Sequence, residues 1–182
     1  MIYNLTKQKK NVTLLERLAA ARDISTPLKE YLNPTYADKW VSGSKLPQAH
    51  AAYERIKKAI KHEEKIMIFG DYDVDGIISS YCLYRFFRST LSYHNISIQL
   101  PHRKKDGYGI KKHHVQSIKD LGCSLIITVD NGITCVQEAE FCKELGIDLI
   151  ITDHHHPLEE IPDAVALVNP QLDEEYPFKE IS

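Results

Sequence analysis

The sequence lacks the patterns that mark several common classes of protein. It has neither the GxxxxGK[ST] nor the GxGxxG pattern of phosphate-binding loops, and no serine stands in the GxSxG context of acyl-transfer enzymes. No window approaches the roughly 18 apolar residues of a membrane-spanning helix, and no apolar run of signal-peptide length follows the N-terminal lysines. These absences argue against nucleotide-loop and acyl-transfer chemistry, and we expect a cytoplasmic protein without membrane contact.

Cysteine pairs and a strong net charge are also missing. The four cysteines form no CxxC pair and lie in apolar or helical segments, which is typical of buried free thiols in a reducing compartment. They are Cys82, Cys123, Cys135 and Cys142. The formal net charge of −2 gives no reason to expect nucleic-acid binding by the molecule as a whole, although a local basic patch could still provide it. With 182 residues, 43% of them apolar, the chain can form one substantial core.

The chain is organised as a short arm followed by one domain. Residues 1–45 mix polar, short helical and proline-containing pieces, which indicates an N-terminal arm and linker, and residues 46–182 form the predicted domain. Pro47 opens a predicted helix over 47–62, whose apolar residues, including Tyr53, recur at intervals of three and four.

Beyond this helix, short apolar runs alternate with helix-length segments. The predicted strands are KIMIFG, ISIQL, SLIITVD, DLIITD and AVALVN, and the predicted helices cover residues 77–90, 111–121 and 134–145. Uninterrupted Ile, Leu and Val runs are typical of strands buried on both faces. The related segments LGCSLIIT and LGIDLIIT each fit the end of a helix followed by a strand. The pattern predicts an α/β fold with a doubly wound, mainly parallel five-stranded sheet and helices on both faces.

Acidic residues and a histidine follow three of the predicted strands. Asp71 follows the first strand, Asp130 the third, and Asp153 with His154 the fourth. The carboxyl ends of parallel strands meet at one edge of the sheet, where ligands bind in this class of fold. Clustered carboxylates repel one another unless cations lie between them, and oxygen ligands with a minority of histidine nitrogens suit Mn²⁺ or Mg²⁺ better than Zn²⁺. A pair of such ions favours hydrolysis of a phosphate ester or anhydride.

Simpler interpretations of these residues stay open. The segment GDYDVDG also matches the start of a calcium-binding EF-hand loop, but the position that should hold the bidentate glutamate is Cys82, and a strand precedes the loop. Alternatively, its aspartates are solvated turn residues. The run DHHHP is either part of the site or a surface histidine tract that binds metals adventitiously.

A basic segment, HRKKDGYGIKKHH, follows the second predicted strand at residues 102–114. Its positive side chains would attract a phosphate backbone toward the acidic edge, and Tyr108 is expected to stack on a base. The residues predicted to bind nucleic acid are Arg103, Lys104, Lys105, Tyr108 and Lys111. The alternative is a solvated loop followed by a basic helix start.

Several separated motifs occur in the order found in one enzyme family. DYDVDG, VDNG and DHH, each after a strand, resemble the DHH phosphoesterase superfamily. IFGDYDVDG, HRKKDGYGI, TVDNGIT, ITDHHHP and ALVNPQ together resemble its RecJ-type branch of single-strand-specific exonucleases, over roughly residues 30–172. The resemblance implies a manganese- or magnesium-dependent nuclease, with two ions in the complete enzyme, that degrades single-stranded DNA from the 5′ end in repair and recombination.

The resemblance also implies the metal ligands. Asp71 and Asp73 resemble the first pair of ligands, one for each ion. Asp130 resembles the carboxylate that bridges both ions, with a part in catalysis, and His154 resembles a ligand of the second ion.

Three further residues complete the implied site. His155 resembles the group that approaches the scissile phosphate, and Asp153 either a ligand or a residue that fixes an imidazole tautomer. Some family members carry a histidine four residues before the first aspartate, where this chain has Met67, so Asp75 or water is the expected substitute ligand. His156 has no family role and is expected at the surface.

Two features of the family are not recognisable in the sequence. The downstream aspartate of the fourth motif has no match before Ser182, and the C-terminal substrate-binding domain is missing. We therefore expect the chain to be the N-terminal portion of a longer enzyme, to bind one Mn²⁺ more readily than two, and to show little activity alone. Two other functions stay open: a DHH-type hydrolase of short oligonucleotides, cyclic dinucleotides or pyrophosphate, and a binding module of the same fold without catalysis.

Overall fold

The computed structural model describes residues 12–33, 35, 42–173 and 176, and the chain divides into two compact units, Met1–Val41 and Ser42–Ser182. The first unit contains two short helices, α1 (Leu14–Ala20) and α2 (Leu28–Leu32), neither of which buries a side chain. α1 begins after Thr13, whose side-chain oxygen accepts from the Glu16 amide while the Glu16 carboxylate accepts from the Thr13 amide. The boundary between an arm over 1–45 and a domain over 46–182 stays a prediction, and the remaining residues of both segments lie outside the described part of the chain.

The second unit is built on one parallel sheet. Its strands are β1 (Ile66–Gly70), β2 (Ile96–Gln99), β3 (Leu125–Val129), β4 (Asp148–Thr152) and β5 (Ala166–Val168). They lie in the order β2-β1-β3-β4-β5, and every neighbouring pair is parallel. The chain leaves β1 for β2 on one side and returns to β3 on the other, so the direction of winding changes between β1 and β3. Ligands bind at such a switch point in doubly wound sheets.

Helices cover both faces of this sheet, because alternate residues of each buried strand point to opposite faces. One core packs Met67, Phe69 and Ile126 against α5 (Lys112–Asp120) and α6 (Val136–Glu144). The other packs Ile68 and Ile127 against α3 (Ala49–Lys61) and α4 (Val74–Arg85), which continues as a π-turn over Phe86–Thr90. The predicted doubly wound, five-stranded α/β fold is confirmed. None of the described helices is both long and apolar enough to cross a membrane.

Three local details differ from the sequence predictions. α4 begins at Val74 rather than residue 77, because the Asp73 side chain accepts from a backbone amide of its first turn. On α3, Tyr53 is 57% exposed although it lies in the predicted apolar stripe. All four cysteines are free and three are buried, but Cys82 is exposed on α4.

A buried arginine on α3 forms ion pairs at the amino edge of the sheet. Arg55 is 8% exposed, and its guanidinium contacts the Glu64 carboxylate at 2.6 Å and the Asp148 carboxylate at 2.5 Å. The Ser124 hydroxyl donates to the same Glu64 carboxylate at 2.6 Å. Burial opposes ionisation of Glu64, but the hydrogen bonds from Arg55 and Ser124 outweigh it and lower the pKa of Glu64.

Replacing Glu64 with Gln should lower the free energy of unfolding at pH 7 by about 2 kcal/mol, because a charged hydrogen bond to a buried guanidinium is lost. The folded-state pKa of Glu64 lies below its ordinary value of 4.5. Its contribution is therefore present above that value and lost as the pH falls through the folded pKa. Urea unfolding at pH 7 and pH 3 measures the difference, with Glu144→Gln at an exposed position of α6 as control. A difference that did not shrink at pH 3 would contradict this assignment.

Candidate metal centre

The carboxyl edge of the sheet gathers the acidic residues of the predicted site. Asp71 follows β1, Asp130 follows β3, and Asp153 follows β4. His154 and His155 continue from Asp153 into the same region, because the His154 Nε2 lies 3.0 Å from the Asp130 Oδ1. The parallel register thus brings together side chains that are far apart in the sequence.

Asp71 is buried, with 2% of the residue exposed. Its Oδ1 is shielded from solvent and has no hydrogen-bond partner among the described residues. Burial, with a smaller effect from the negative charge of Asp73, raises the pKa of Asp71. A buried carboxylate oxygen without a partner is costly for a fold, and a cation would remove that cost.

The residues of the segment GDYDVDG have distinct structural roles. Asp73 caps α4, since its Oδ1 accepts from the Gly76 amide at 3.0 Å, while the residue itself stays exposed. Gly76 lies so close to the loop that a Cβ there would come within 2.6 Å of the Asp71 backbone nitrogen and oxygen. A Cβ on Gly70 would lie 2.1 Å from the Ser80 hydroxyl oxygen. Both glycines are therefore required for α4 to pack against the end of β1.

Asp75 borders the site without belonging to the group of Asp130, His154 and His155. It is exposed in the first turn of α4 and lines a cleft of about 560 Å³ together with Asp130 and His154. Met67, at the position where some relatives have a histidine, is 2% exposed in the core, so no ligand from β1 enters the site. His156 is exposed, as expected.

Asp130 has an unusual backbone conformation, with φ of +61°. Left-handed backbone is uncommon for residues other than glycine, although aspartate and asparagine tolerate it. Its Oδ1 contacts His154 Nε2, and burial, followed by repulsion from Asp73, raises the pKa of Asp130. Strain of this kind is typical of functional positions.

Asp153 holds the two histidines in place. Its Oδ2 accepts from the Ile133 amide at 3.0 Å, and its Oδ1 accepts from the His154 amide at 2.8 Å and the His155 amide at 3.2 Å. The same Oδ1 lies 2.6 Å from His155 Nδ1. A carboxylate there accepts the Nδ1 proton, so in the neutral tautomer that this contact favours, Nε2 is the nitrogen able to bind a metal. Both Asp153 oxygens are occupied by these contacts, which favours the orienting role over direct ligation.

Tyr108 lies within the site rather than beyond it. Its hydroxyl donates to the Asp130 carbonyl at 3.2 Å, and the same oxygen is 3.0 Å from His155 Nδ1. Burial, and then the nearby Asp153 charge, raise the pKa of Tyr108 well above its usual value. The residue is 38% exposed, and base stacking by Tyr108 stays a prediction.

The basic segment borders the aspartate loop. Arg103, Lys104 and Lys105 are exposed, and the Arg103 guanidinium lies 5.4 Å from the centre of the Tyr72 ring, inside DYDVDG. Lys111 is partly buried just before α5. Three of the predicted cations are thus free to contact a polyanion next to the site.

Among the described residues, two groups have three potential ligands with donor atoms within 4.8 Å of one another. One is Asp130 with His154 and His155, and the other is Asp106 with His113 and His114. In the second group, the Lys111 amide donates to His114 Nδ1, so the ring proton is on Nε2, 3.3 Å from the Asp106 carboxylate. A metal at that Nε2 would leave two N–H groups facing each other. The second group is therefore a hydrogen-bonded clamp on the basic segment.

Sequence reasoning missed two buried asparagines at this edge. Asn131 donates to the carbonyls of Phe69 and Val129, and Asn169 donates to the His155 carbonyl at 2.9 Å. Both follow a strand-end position in the motifs VDNG and VNPQ, which is the only sequence signal for them. Asparagine is common in turns, so an asparagine after a strand does not by itself indicate whether its side chain is exposed in a turn or buried with hydrogen-bond partners.

Comparison with known proteins identifies the domain. The DHH family, N-terminal domain, matches residues 65–176. The single-stranded-DNA-specific exonuclease RecJ of Bacillus subtilis is 48% identical over 132 residues, which is 72% of this chain and 16% of that protein. RecJ of Salmonella typhimurium is 36% identical over 170 residues, 93% of this chain and 29% of the relative. The chain thus spans less than a third of the length of either relative.

Solved structures show the same fold. The crystal structure of exonuclease RecJ bound to manganese superimposes with a TM-score of 0.70 at 29% identity, covering 77% of this chain and 35% of that one. The structure of RecJ in complex with Mn²⁺ from Thermus thermophilus gives a TM-score of 0.66 at 26% identity, covering 83% and 20%. Since the family's domain matches most of the chain and its aspartate and histidine motifs meet at one sheet edge, this chain belongs to the DHH family.

Proposed function

We propose that this chain provides the metal-binding domain of a RecJ-like nuclease, which hydrolyses phosphodiester bonds of single-stranded DNA from the 5′ end. The observation that carries the proposal is the convergence of Asp71, Asp130 and the paired histidines at the β1–β3 switch point. The relatives named for this activity and the manganese-bound structures support it. We place this activity in the cytoplasm, in DNA repair and recombination.

The residues present fit Mn²⁺ or Mg²⁺. Asp71, Asp73, Asp130 and His154 would hold two ions in the complete enzyme, because carboxylate oxygens with few imidazoles suit these metals. A bound cation would provide a partner for the buried Asp71 Oδ1, which has none among the described residues. It would also lower the pKa of Asp130, which burial raises. Such ions stabilise the charge on the attacking and leaving oxygens of phosphoryl transfer.

The remaining residues orient the reacting groups. Asp153 accepts from the Nδ1 of His155 and so favours the tautomer in which Nε2 is the acceptor of the ring. Tyr108 packs edge-on to the same imidazole and restricts its rotation. Arg103, Lys104 and Lys105 attract the DNA backbone without reading its sequence.

Replacing Asp130 with Asn should weaken Mn²⁺ binding at least tenfold, by analogy with the loss that altered surroundings of metal ligands already cause. Asparagine tolerates the left-handed backbone, so the fold should persist. In chelator at pH 7 the variant should be at least as stable as the wild type. A carboxyl whose folded pKa is raised loses stability as the pH rises through that pKa, so the advantage should shrink toward pH 4.

Calorimetric titration with Mn²⁺ and urea unfolding measure the two effects. The wild-type chain should bind one Mn²⁺ tightly and a second more weakly. Asp120→Asn, at an exposed position of α5, is the matched control and should bind Mn²⁺ as the wild type does. Unchanged Mn²⁺ affinity in Asp130→Asn would remove Asp130 from the ligand set.

Replacing Arg103, Lys104 and Lys105 together with Ala should weaken binding to single strands of any sequence. The slope of log affinity against log salt should flatten by about 0.7 for each lost phosphate contact. Anisotropy titrations of a labelled oligonucleotide at several salt concentrations measure this slope. The control replaces Lys57, Lys58 and Lys61 on α3, which removes the same charge elsewhere. Equal slopes in the two triple variants would show that the basic segment is a solvated surface loop without specific phosphate contacts.

Activity is tested in a chimaera in which the 132 matching residues of this chain replace their counterparts in Bacillus subtilis RecJ. We expect Mn²⁺-dependent release of nucleotides from the 5′ end of long single strands, abolished by His155→Ala. The isolated chain should show little activity. Preference for dinucleotides would favour the small-substrate hydrolase, and a folded, metal-binding but inactive chimaera would favour the non-catalytic module. Robust digestion by the isolated chain would show that no ligand is missing.

A further inference from the structure

We propose that Asn131 is a positioning residue, whose side-chain amide ties the ends of β1 and β3 together and so fixes the separation of Asp71 and Asp130. The inference rests on the proposed function, because it assigns Asn131 a role in holding the metal ligands. Asn131 is fully buried and comes directly after Asp130.

The amide makes two hydrogen bonds that bridge neighbouring strands. Asn131 Nδ2 donates to the Phe69 carbonyl of β1 at 3.1 Å and to the Val129 carbonyl of β3 at 2.9 Å. The orientation of the amide follows from these partners, because the opposite orientation would place its oxygen against two carbonyl oxygens. Each carbonyl belongs to a peptide just before a site residue, one leading through Gly70 to Asp71 and the other into Asp130.

The Asn131 amide reinforces the backbone ladder at the point where that ladder ends. The β1–β3 register ends at the pair Gly70 and Val129, and at Asp130 the chain turns into the left-handed region. The Asp130 amide still donates to the Thr152 carbonyl of β4 at 3.0 Å. The peptide that joins Val129 to Asp130 is therefore held on its N–H side by β4 and on its C=O side by Asn131.

Holding the strand ends together opposes the repulsion between the carboxylates that follow them. Asp71 and Asp130 are both carboxylates in partly desolvated positions, and like charges drive such groups apart. The Asn131 Oδ1 is buried with no hydrogen-bond partner among the described residues, which is unfavourable for folding. An apolar side chain would fill the same space without that cost. The two donated hydrogen bonds are what an apolar residue cannot supply.

The first experiment needs no metal. Amide hydrogen exchange is measured in chelator for the wild type, for Asn131→Ala and for Asn131→Leu, which refills the volume without a donor. Protection of the Asp130 amide should fall at least tenfold in both variants, while amides in the middle of β3 keep their protection. The control is Asn95→Ala, which removes an amide-to-carbonyl hydrogen bond of 2.7 Å to Glu63 at the opposite edge of the sheet.

The second experiment compares dissociation constants for Mn²⁺ and Ca²⁺ in the same proteins. Both Asn131 variants should bind Mn²⁺ at least tenfold more weakly, as expected when the support of a metal ligand is lost. Ca²⁺ accepts longer and more variable coordination, so its binding should weaken less and the preference for Mn²⁺ should fall. A merely destabilised fold, as in Asn95→Ala, should leave that preference unchanged.

Several outcomes would overturn the inference. Wild-type protection at Asp130 in Asn131→Leu would show that only volume matters. Wild-type Mn²⁺ preference in folded Asn131 variants would remove the link to the ligands. Failure of both variants to fold while Asn95→Ala folds would make Asn131 a general folding residue. If the wild-type chain bound no Mn²⁺, the proposed function would fail, whereas loss of Asp130 protection in the variants would still support the tie between the strands.

Discussion

The parallel pairing of β1 with β3 is the contact on which both the core and the metal centre depend. These two strands run through the middle of the sheet and separate the part wound toward β2 from the part wound toward β5. Because they are parallel, their carboxyl ends leave the sheet on the same side, and the crossover helices leave a gap between the two loops that follow. Asp71 and Asp130 occupy that gap, and Asp153 reaches it from β4.

Buried charges are neutralised at one edge of the sheet and not at the other. At the amino edge, Arg55 is paired with Glu64 and Asp148, so buried charge is neutralised within the fold. At the carboxyl edge, Asp71 and Asp130 have raised pKa values and no cationic side chain among the described residues neutralises them fully. A fold selected for stability alone would not bury carboxylates in this way. Burial of these carboxylates lowers the stability of the fold but suits the carboxyl edge to bind cations. The apolar cores on both faces of the sheet offset the lost stability.

The aspartate and histidine motifs contain more than candidate ligands. In GDYDVDG, Gly76 gives α4 room beside the Asp71 backbone, and Asp73 caps the helix and, after burial, contributes to the raised pKa values of Asp71 and Asp130. In DHH, Asp153 uses its oxygens to hold the loop and the His155 ring. Each short segment therefore contains candidate ligands together with groups that orient them.

The α/β class, the five strands, the parallel sheet and the aspartates at its carboxyl edge are predictable from the sequence, because uninterrupted apolar runs followed by polar residues depend only on local order. Contacts between residues far apart in the chain are not predictable in this way. The burial of Arg55, the hydroxyl of Tyr108 beside His155 and the two hydrogen bonds of Asn131 all join different elements. Side-chain periodicity shows which face of an element is apolar, but a polar group is buried only where a specific partner meets it, and that meeting is fixed by packing.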